Sequence, residues 1–173
     1  MQDFVHLHVH TQYSLLDGQA SVARLVDKAM QNGMKGIAVT DHGNMFGIKE
    51  FTNYVNKKNS GPKGEVKDLK KRIAGIEAGT IECADKEAEI AACKAKIVEA
   101  ENKLFKPVIG CEMYVARRTM DLKEGKPDQS GYHLIVLAKN EKGYHNLIKL
   151  VSHAWTRGYY MRPRTDRSEL EKY

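Results

Sequence analysis

Three histidines at alternate positions near the start of the chain, His6, His8 and His10 in FVHLHVHT, are the residues best placed to do chemistry. Interleaved with Val5, Leu7 and Val9, they predict a strand over residues 4–10, because successive strand side chains point to opposite faces. At a rise of roughly 3.3 Å per residue, histidines two apart on one face have Cα atoms about 6.6 Å apart, close enough for two imidazoles to converge on one metal ion. A lone histidine is more often a surface residue or a hydrogen-bonded core residue, but a phased set on one strand face shifts the balance towards metal binding. A purification tag, a run of histidines without aliphatic partners, does not fit. Oxygen donors for such an ion are also present. Asp17 lies in an Asp17-Gly18 turn seven residues past the strand; such a pair is ordinarily turn chemistry, but this one can fold back towards the histidines. Glu112 is a carboxylate in mid-strand between Cys111 and Met113, and its phase against apolar neighbours argues for the interior of a barrel.

Several elements must position these groups. Ser21 caps a helix whose Val22, Leu25, Val26, Ala29 and Met30 form one apolar stripe, with Gly33 as its stop. GIAV, residues 36–39, is apolar without alternation, the pattern of a strand covered on both faces. It ends in Thr40-Asp41-His42-Gly43, at the carboxyl edge where α/β enzymes collect their ligands. A helix through Ile48, Phe51 and Val55 runs out at Lys57-Lys58-Asn59. Residues 60–106 hold no β pattern; Val66, Leu69, Ile73 and Ile76 share one phase, and Ile90, Ile97 and Leu104 another. A single helix of about 40 residues would carry the chain ~60 Å away, so a helical hairpin broken near Gly79-Thr80 is expected, either a solvated decoration or a contact arm for another protein.

A strand follows from Pro107, with Ile109, Cys111, Met113 and Val115 on one face. The polar, basic segment 117–131 reads as the most mobile. The strand at 132–138 carries His133 at its start, and Asn140 caps a helix with the stripe Tyr144, Leu147, Ile148, Val151 and Trp155, leaving His145 and His153 exposed. Together these strands predict a curved parallel sheet with helices outside. The tail, TRGYYMRPRTDRSELEKY, mixes tyrosines and arginines and suits either nucleic-acid contacts or a docked loop.

With 173 residues, 42% of them hydrophobic, the chain can bury one ordinary core. Its net charge of +6 is uneven: residues 1–56 carry 4 basic and 5 acidic side chains, residues 117–173 carry 12 and 7. That bias suits an anionic partner such as nucleic acid or phosphate, and equally a merely soluble basic surface. Three cysteines, Cys83, Cys93 and Cys111, are odd in number and lack CxxC spacing, which argues against a disulfide framework and a cysteine zinc site. No apolar run approaches ~18 residues and no export signal opens the chain, so no membrane association and a cytoplasmic location are expected.

HLHVHT, SLLDG, VTDHGNMFG, PVIGCEMYVA and YHLIVLAKNEKGYHNLIKLVS together resemble the PHP (polymerase and histidinol phosphatase) domain family, in the form found at the N-terminus of bacterial DNA polymerase III alpha subunits. The resemblance runs on through GYYMRPRTDRSELEKY and leaves out roughly residues 60–104. It implies an α/β fold, a distorted TIM-like β/α barrel that binds up to three divalent metal ions, zinc or manganese with magnesium as the alternative. Matched motif by motif, the metal ligands are His8, His10, Asp17, His42, Glu112 and His133, with His6 and Asp41 standing behind them. The family's late Asp-x-His pair lies beyond Tyr173, so the chain is expected to be the N-terminal part of a PHP domain. It would hold about four strands of an incomplete barrel, with the 60–106 hairpin inserted. An open sheet edge and an uncovered apolar face then favour a homo-oligomer. The implied chemistry is phosphodiester hydrolysis by metal-activated water with no protein nucleophile, in a protein that also polymerises DNA. The piece alone would be weak or inactive. DNA and other replisome subunits are the implied partners. The alternatives are a non-catalytic, metal-stapled platform for those subunits and a stand-alone small-molecule phosphatase.

Overall fold

The stripe that follows Ser21 folds as α1 (Val22–Gln31) in this computed structural model, which describes residues 4–129 and 131–173. The Ser21 hydroxyl accepts the Arg24 N–H, and Val22, Val26 and Ala29 are buried on one side. β1 (Gly36–Val39) follows, buried at every position. After it come α2 (Ile48–Lys58), α3 (Ser60–Glu77), α4 (Lys86–Asn102), β2 (Lys106–Ala116), α5 (Lys126–Gln129), β3 (Gly131–Leu137), α6 (Glu141–Thr156), β4 (Arg164–Thr165) and α7 (Arg167–Leu170). The chain divides into two compact units, residues up to 53 with 107–173, and residues 54–106.

In the first unit β2 is the spine of a four-stranded sheet. β1 lies beside it, and the alignment continues past the end of β1 as a parallel bridge between His42 and Glu112. There Glu112 N–H donates to the Asp41 carbonyl (3.1 Å) and Gly43 N–H to the Glu112 carbonyl (2.8 Å). β4 also runs parallel to β2, Tyr114 opposite Arg164. β3 is antiparallel, in a register running from Gly110↔Leu137 to Ala116↔Gly131. The sheet is therefore mixed and not closed, where the expected one is parallel throughout. The link from β2 to β3 contains only the single turn of α5, too short a helix to return the chain along the sheet for a parallel crossover, so β3 folds back as a hairpin.

The segment expected to be the first strand is not a regular strand. His6 and Val9 carbonyls accept from Ala38 N–H (2.8 Å) and Thr40 N–H (2.9 Å), so residues 6–9 run alongside β1. Three steps along this segment match two along β1, and the extra residue is taken up in a bend at Leu7-His8. As in a β-bulge, the alternation slips there: Leu7 is exposed instead of buried, and His6 loses phase with His8 and His10.

Along β2, Cys111 and Met113 face α6 and form a core with Leu147, Leu150, Val151 and Ala154. Asn140 caps α6 as expected, accepting the Gly143 N–H. The buried stripe of α6 is rotated from the predicted one. Ile148 and Trp155 are exposed, and the small Ala154 takes the buried position next to the sheet. Segment 117–129, expected to be mobile, is tied down by the tail. Arg164 is 1% exposed and donates to the carbonyls of Met120 (2.9 Å), Leu122 (3.0 Å), Asp128 (3.0 Å) and Gly158 (3.1 Å). Asp166 accepts Met120 N–H at 2.9 Å, and Arg118 forks onto Asp128. Ser130, also in that segment, lies outside the described residues.

In the second unit α3 and α4 pair as a hairpin around Ile76, Cys93, Ile97 and Ala100. The turn between them passes through Gly79 at φ 73°, and Asp85 caps α4 by accepting Ala88 N–H. Its base is closed by the Asn59 side chain, which donates to the Phe105 carbonyl (2.8 Å) and accepts Phe105 N–H (2.9 Å). Among the described residues no helix is long and apolar enough to cross a membrane.

Candidate metal centre

Alternation along β2 turns Glu112 to the face opposite Cys111 and Met113, and Tyr114 points the same way. The register sets Tyr114 opposite His133 and Glu112 opposite Ile135, making His133 the diagonal neighbour of Glu112. Its Nδ1 is hydrogen-bonded to Glu112 Oε1. From the other side the bent segment brings His8 Nε2 to 2.8 Å and His10 Nε2 to 2.9 Å from Glu112 Oε2, and 3.0 Å from each other. His42, just past β1, puts Nδ1 3.4 Å from the same oxygen, and its Nε2 is 2.7 Å from Asp17. The structure thus gathers five of the expected ligands around Glu112, itself included, with Asp17 behind His42. Two sets, His8–His10–Glu112 and His42–Glu112–His133, each have donor atoms within 4.8 Å of one another.

Asp41 is 1% exposed and holds the loop that carries His10. It accepts Thr11 N–H (2.6 Å), Thr11 O–H (2.8 Å) and Ser14 O–H (2.7 Å). With its proton given to Asp41, the Ser14 oxygen has only lone pairs left, and these accept His10 Nδ1–H (2.8 Å) and His42 N–H (3.2 Å). His10 therefore carries its proton on Nδ1 and turns the Nε2 lone pair towards Glu112. The turn is tight: Gly18 N–H bonds the Ser14 carbonyl at 2.7 Å, and a Cβ on Gly18 would lie 1.8 Å from the Thr11 carbonyl oxygen. Sequence reasoning passes over Ser14. Its one signal is membership of the same SLLDG motif as Asp17. His6 is not brought in; its ring meets Phe4 edge-on at 4.7 Å, and among the described residues no hydrogen bond joins it to the cluster.

Burial works to raise the Glu112 carboxyl, but hydrogen bonds from His8 and His133 and the field of His42 bring it below the ordinary glutamate value. Burial, aided by His42, lowers His10 below the ordinary histidine value. The hydrogen bond from His42 lowers Asp17. Cys111, on the opposite face in the core against α6, has its thiol pushed up to about 12 mainly by burial. His42 Nδ1 is buried without a hydrogen-bond partner. A buried, unpartnered nitrogen beside a carboxylate and two close imidazole nitrogens is an arrangement that a cation relieves. The set offers such an ion both nitrogen and oxygen donors.

Comparison with known proteins places this sheet and its histidine–glutamate cluster in a family. The PHP domain profile matches residues 6–98 and 89–173, and the chain belongs to the PHP domain family. It is similar to DNA polymerase III subunit alpha of Borreliella burgdorferi strain B31, 40% identical over 173 residues, and of Treponema pallidum strain Nichols, 38% over 171. That of Aquifex aeolicus strain VF5 is 34% identical over 178 residues. These alignments cover 98–99% of this chain but only 11–12% of the relatives' length.

Proposed function

We propose that the chain is the N-terminal part of the PHP domain of a DNA polymerase III alpha subunit, and that its histidine–glutamate centre holds divalent metal for phosphodiester hydrolysis at a DNA 3′ end. The observation that carries this reading is the convergence of His8, His10, His42 and His133 on one buried carboxylate, with His42 Nδ1 left unpartnered beside it. Bound metal would lower the pKa of a water molecule and polarise the scissile phosphoryl group. The residues themselves bind and orient. Glu112 turns Oε2 to His8 and His10 and Oε1 to His133, so one carboxylate serves both donor sets. Asp17 holds the His42 ring from behind, and Asp41 holds the His10 loop. Imidazole-rich donors favour zinc or manganese over magnesium, with up to three ions in a complete domain.

Residues 60–106 are, in this reading, an insertion within the domain. DNA and other replisome subunits are partners through the full-length protein, in the cytoplasm. Exposed Tyr132 and Leu134 on β3 favour self-association of the piece alone. A second reading, the metal as a staple in a non-catalytic platform, draws on Glu112 tying together segments as far apart as residues 8, 42 and 133.

Calorimetric titration of metal-stripped protein with zinc and manganese tests the centre: tight binding is expected, abolished by His8→Ala with Glu112→Ala. Full-length polymerase should trim a 3′-labelled oligonucleotide in manganese, and the same double variant should not, while still polymerising. Equal trimming by the variant sinks the hydrolytic reading. Metal that binds and raises the melting temperature without any trimming leaves the staple.

A further inference from the structure

We propose that Phe46, Trp155, Tyr159 and Arg162 form a subsite for single-stranded nucleic acid beside the metal centre, the rings taking bases and the guanidinium a phosphate. This rests on the reading of the centre as a phosphodiester site.

The arginines of the tail divide sharply in their use. Arg164 is buried on four backbone carbonyls, Arg157 forks onto Asp121 (2.8 and 2.5 Å), and Arg167 pairs with Glu171 at 3.0 Å. Arg162 is exposed and has no carboxylate partner among the described residues. Its guanidinium lies 4.9 Å from the centre of the Tyr114 ring, which in turn stacks 6.0 Å from His42 and meets His133 edge-on at 5.0 Å. A free cation is therefore held one ring away from two candidate metal ligands, where a phosphate flanking the scissile bond would lie.

Three aromatic faces continue this surface. Phe46 is 63%, Trp155 42% and Tyr159 48% exposed. Trp155 stacks with Tyr159 at 5.6 Å, their planes 23° apart, and meets Phe46 at 6.2 Å. The shelf is anchored to the centre, since the Trp155 indole N–H donates to the carbonyl of Gly43, the residue after His42, at 2.8 Å. Gly43 itself is pinned: its φ is 59°, and a Cβ there would lie 2.7 Å from Pro163. Clustered exposed aromatics mark a binding surface. An apolar protein partner would not need the free guanidinium, nor the surplus of 12 basic over 7 acidic side chains in residues 117–173. A polyanion with unpaired bases uses both.

Trp155 is the chain's single tryptophan, so its fluorescence reports on the shelf. Titrating the 173-residue protein in EDTA at low salt with an oligothymidylate of about ten nucleotides should quench it saturably. Arg162→Ala should weaken binding and reduce the salt slope by about one. Phe46→Ala and Tyr159→Ala should each weaken it on the order of tenfold. All three side chains are exposed, and circular dichroism melts should be unchanged. Absence of quenching at low salt, or variants that bind as wild type, overturns the subsite. So does self-association in sedimentation that Phe46→Ala abolishes while the oligonucleotide gives no signal; the shelf would then be a contact between copies. Because EDTA is present, the two readings fail separately: quenching without metal affinity sinks the metal centre alone, and tight metal binding without quenching sinks the subsite alone.

Discussion

Ser14→Ala is the sharpest perturbation of the centre, because it leaves every candidate metal ligand in place. In the wild type Asp41 accepts three hydrogen bonds, and the variant keeps only the two from Thr11. His10 Nδ1 and His42 N–H lose their acceptor in the same step. A buried polar group left short of a partner costs about 1–3 kcal/mol, which for a chain of this size lowers the melting temperature by roughly 2–12 °C. The larger effect is on metal. With Nδ1 no longer held protonated, His10 is free to carry its proton on Nε2, the nitrogen that faces Glu112. Loss of such an outer partner typically lowers metal affinity 10–100-fold, or about 1.4–2.8 kcal/mol. Two measurements check this: calorimetric zinc affinity, and long-range proton–nitrogen correlation of the histidine rings. The wild type should show His10 as the Nδ1–H tautomer and the variant a mixture. A wild-type His10 protonated on Nε2, or a Ser14→Ala protein that binds zinc as tightly as wild type, would refute the relay from Asp41 through Ser14.

Arg164→Met should destabilise the fold by about 3–5 kcal/mol in thermal unfolding, because it strips donors from the carbonyls of Met120, Leu122, Asp128 and Gly158. Arg164→Lys should recover little, since one ammonium cannot reproduce the planar fork. Asp166 predicts an acid-sensitive tail. Burial works to raise its carboxyl, but hydrogen bonds from Met120 N–H, the Ser168 hydroxyl and Glu169 N–H hold it below the ordinary aspartate value. A depressed folded pKa means that its stabilisation is present above the unfolded value of about 3.9 and lost as pH falls through the lower folded value. Urea midpoints measured from pH 5 down to 2 should therefore fall less steeply in Asp166→Asn than in wild type, and parallel curves would exclude the carboxylate as a cause.

The elements legible in the sequence are those set by local rules. Ser21, Asn140 and the 3.6-residue stripes mark α1 and α6, and the unbroken apolar run of GIAV marks β1. What was not legible depends on partners distant in the chain. The alternation of residues 4–10 is perfect on paper, and only the mismatch of His6 and Val9 against Ala38 and Thr40 reveals the bend. The direction of β3 depends on how the chain turns after Ala116, and the phase of α6 on which of two overlapping stripes meets Cys111 and Met113. Arg157 and Arg164, with Asp121 and Asp166, are solvated by every compositional rule and form the ties between segment and tail instead. Arg164 and Asp166 were invisible because the carbonyls and N–H groups they satisfy have no sequence signature.

The centre was more legible than the sheet that builds it, and the reason lies in Glu112. Each imidazole that reaches it comes from a short segment with its own motif, so residue identity survives errors in the surrounding geometry. His8 and His10 converge although their strand is irregular, because the bend at Leu7-His8 still leaves both Nε2 atoms at Glu112 Oε2. His133 converges although β3 runs opposite to expectation, because the antiparallel register still sets it diagonally across from Glu112. His6 shows the limit of this tolerance. It lies on the far side of the bend from His8 and His10, and one inserted residue is enough to turn it from the centre towards Phe4. The motif thus specifies which side chains reach the carboxylate, while the bend and the Asp41–Ser14 support, neither of them visible as a pattern, specify which nitrogen of His10 does so.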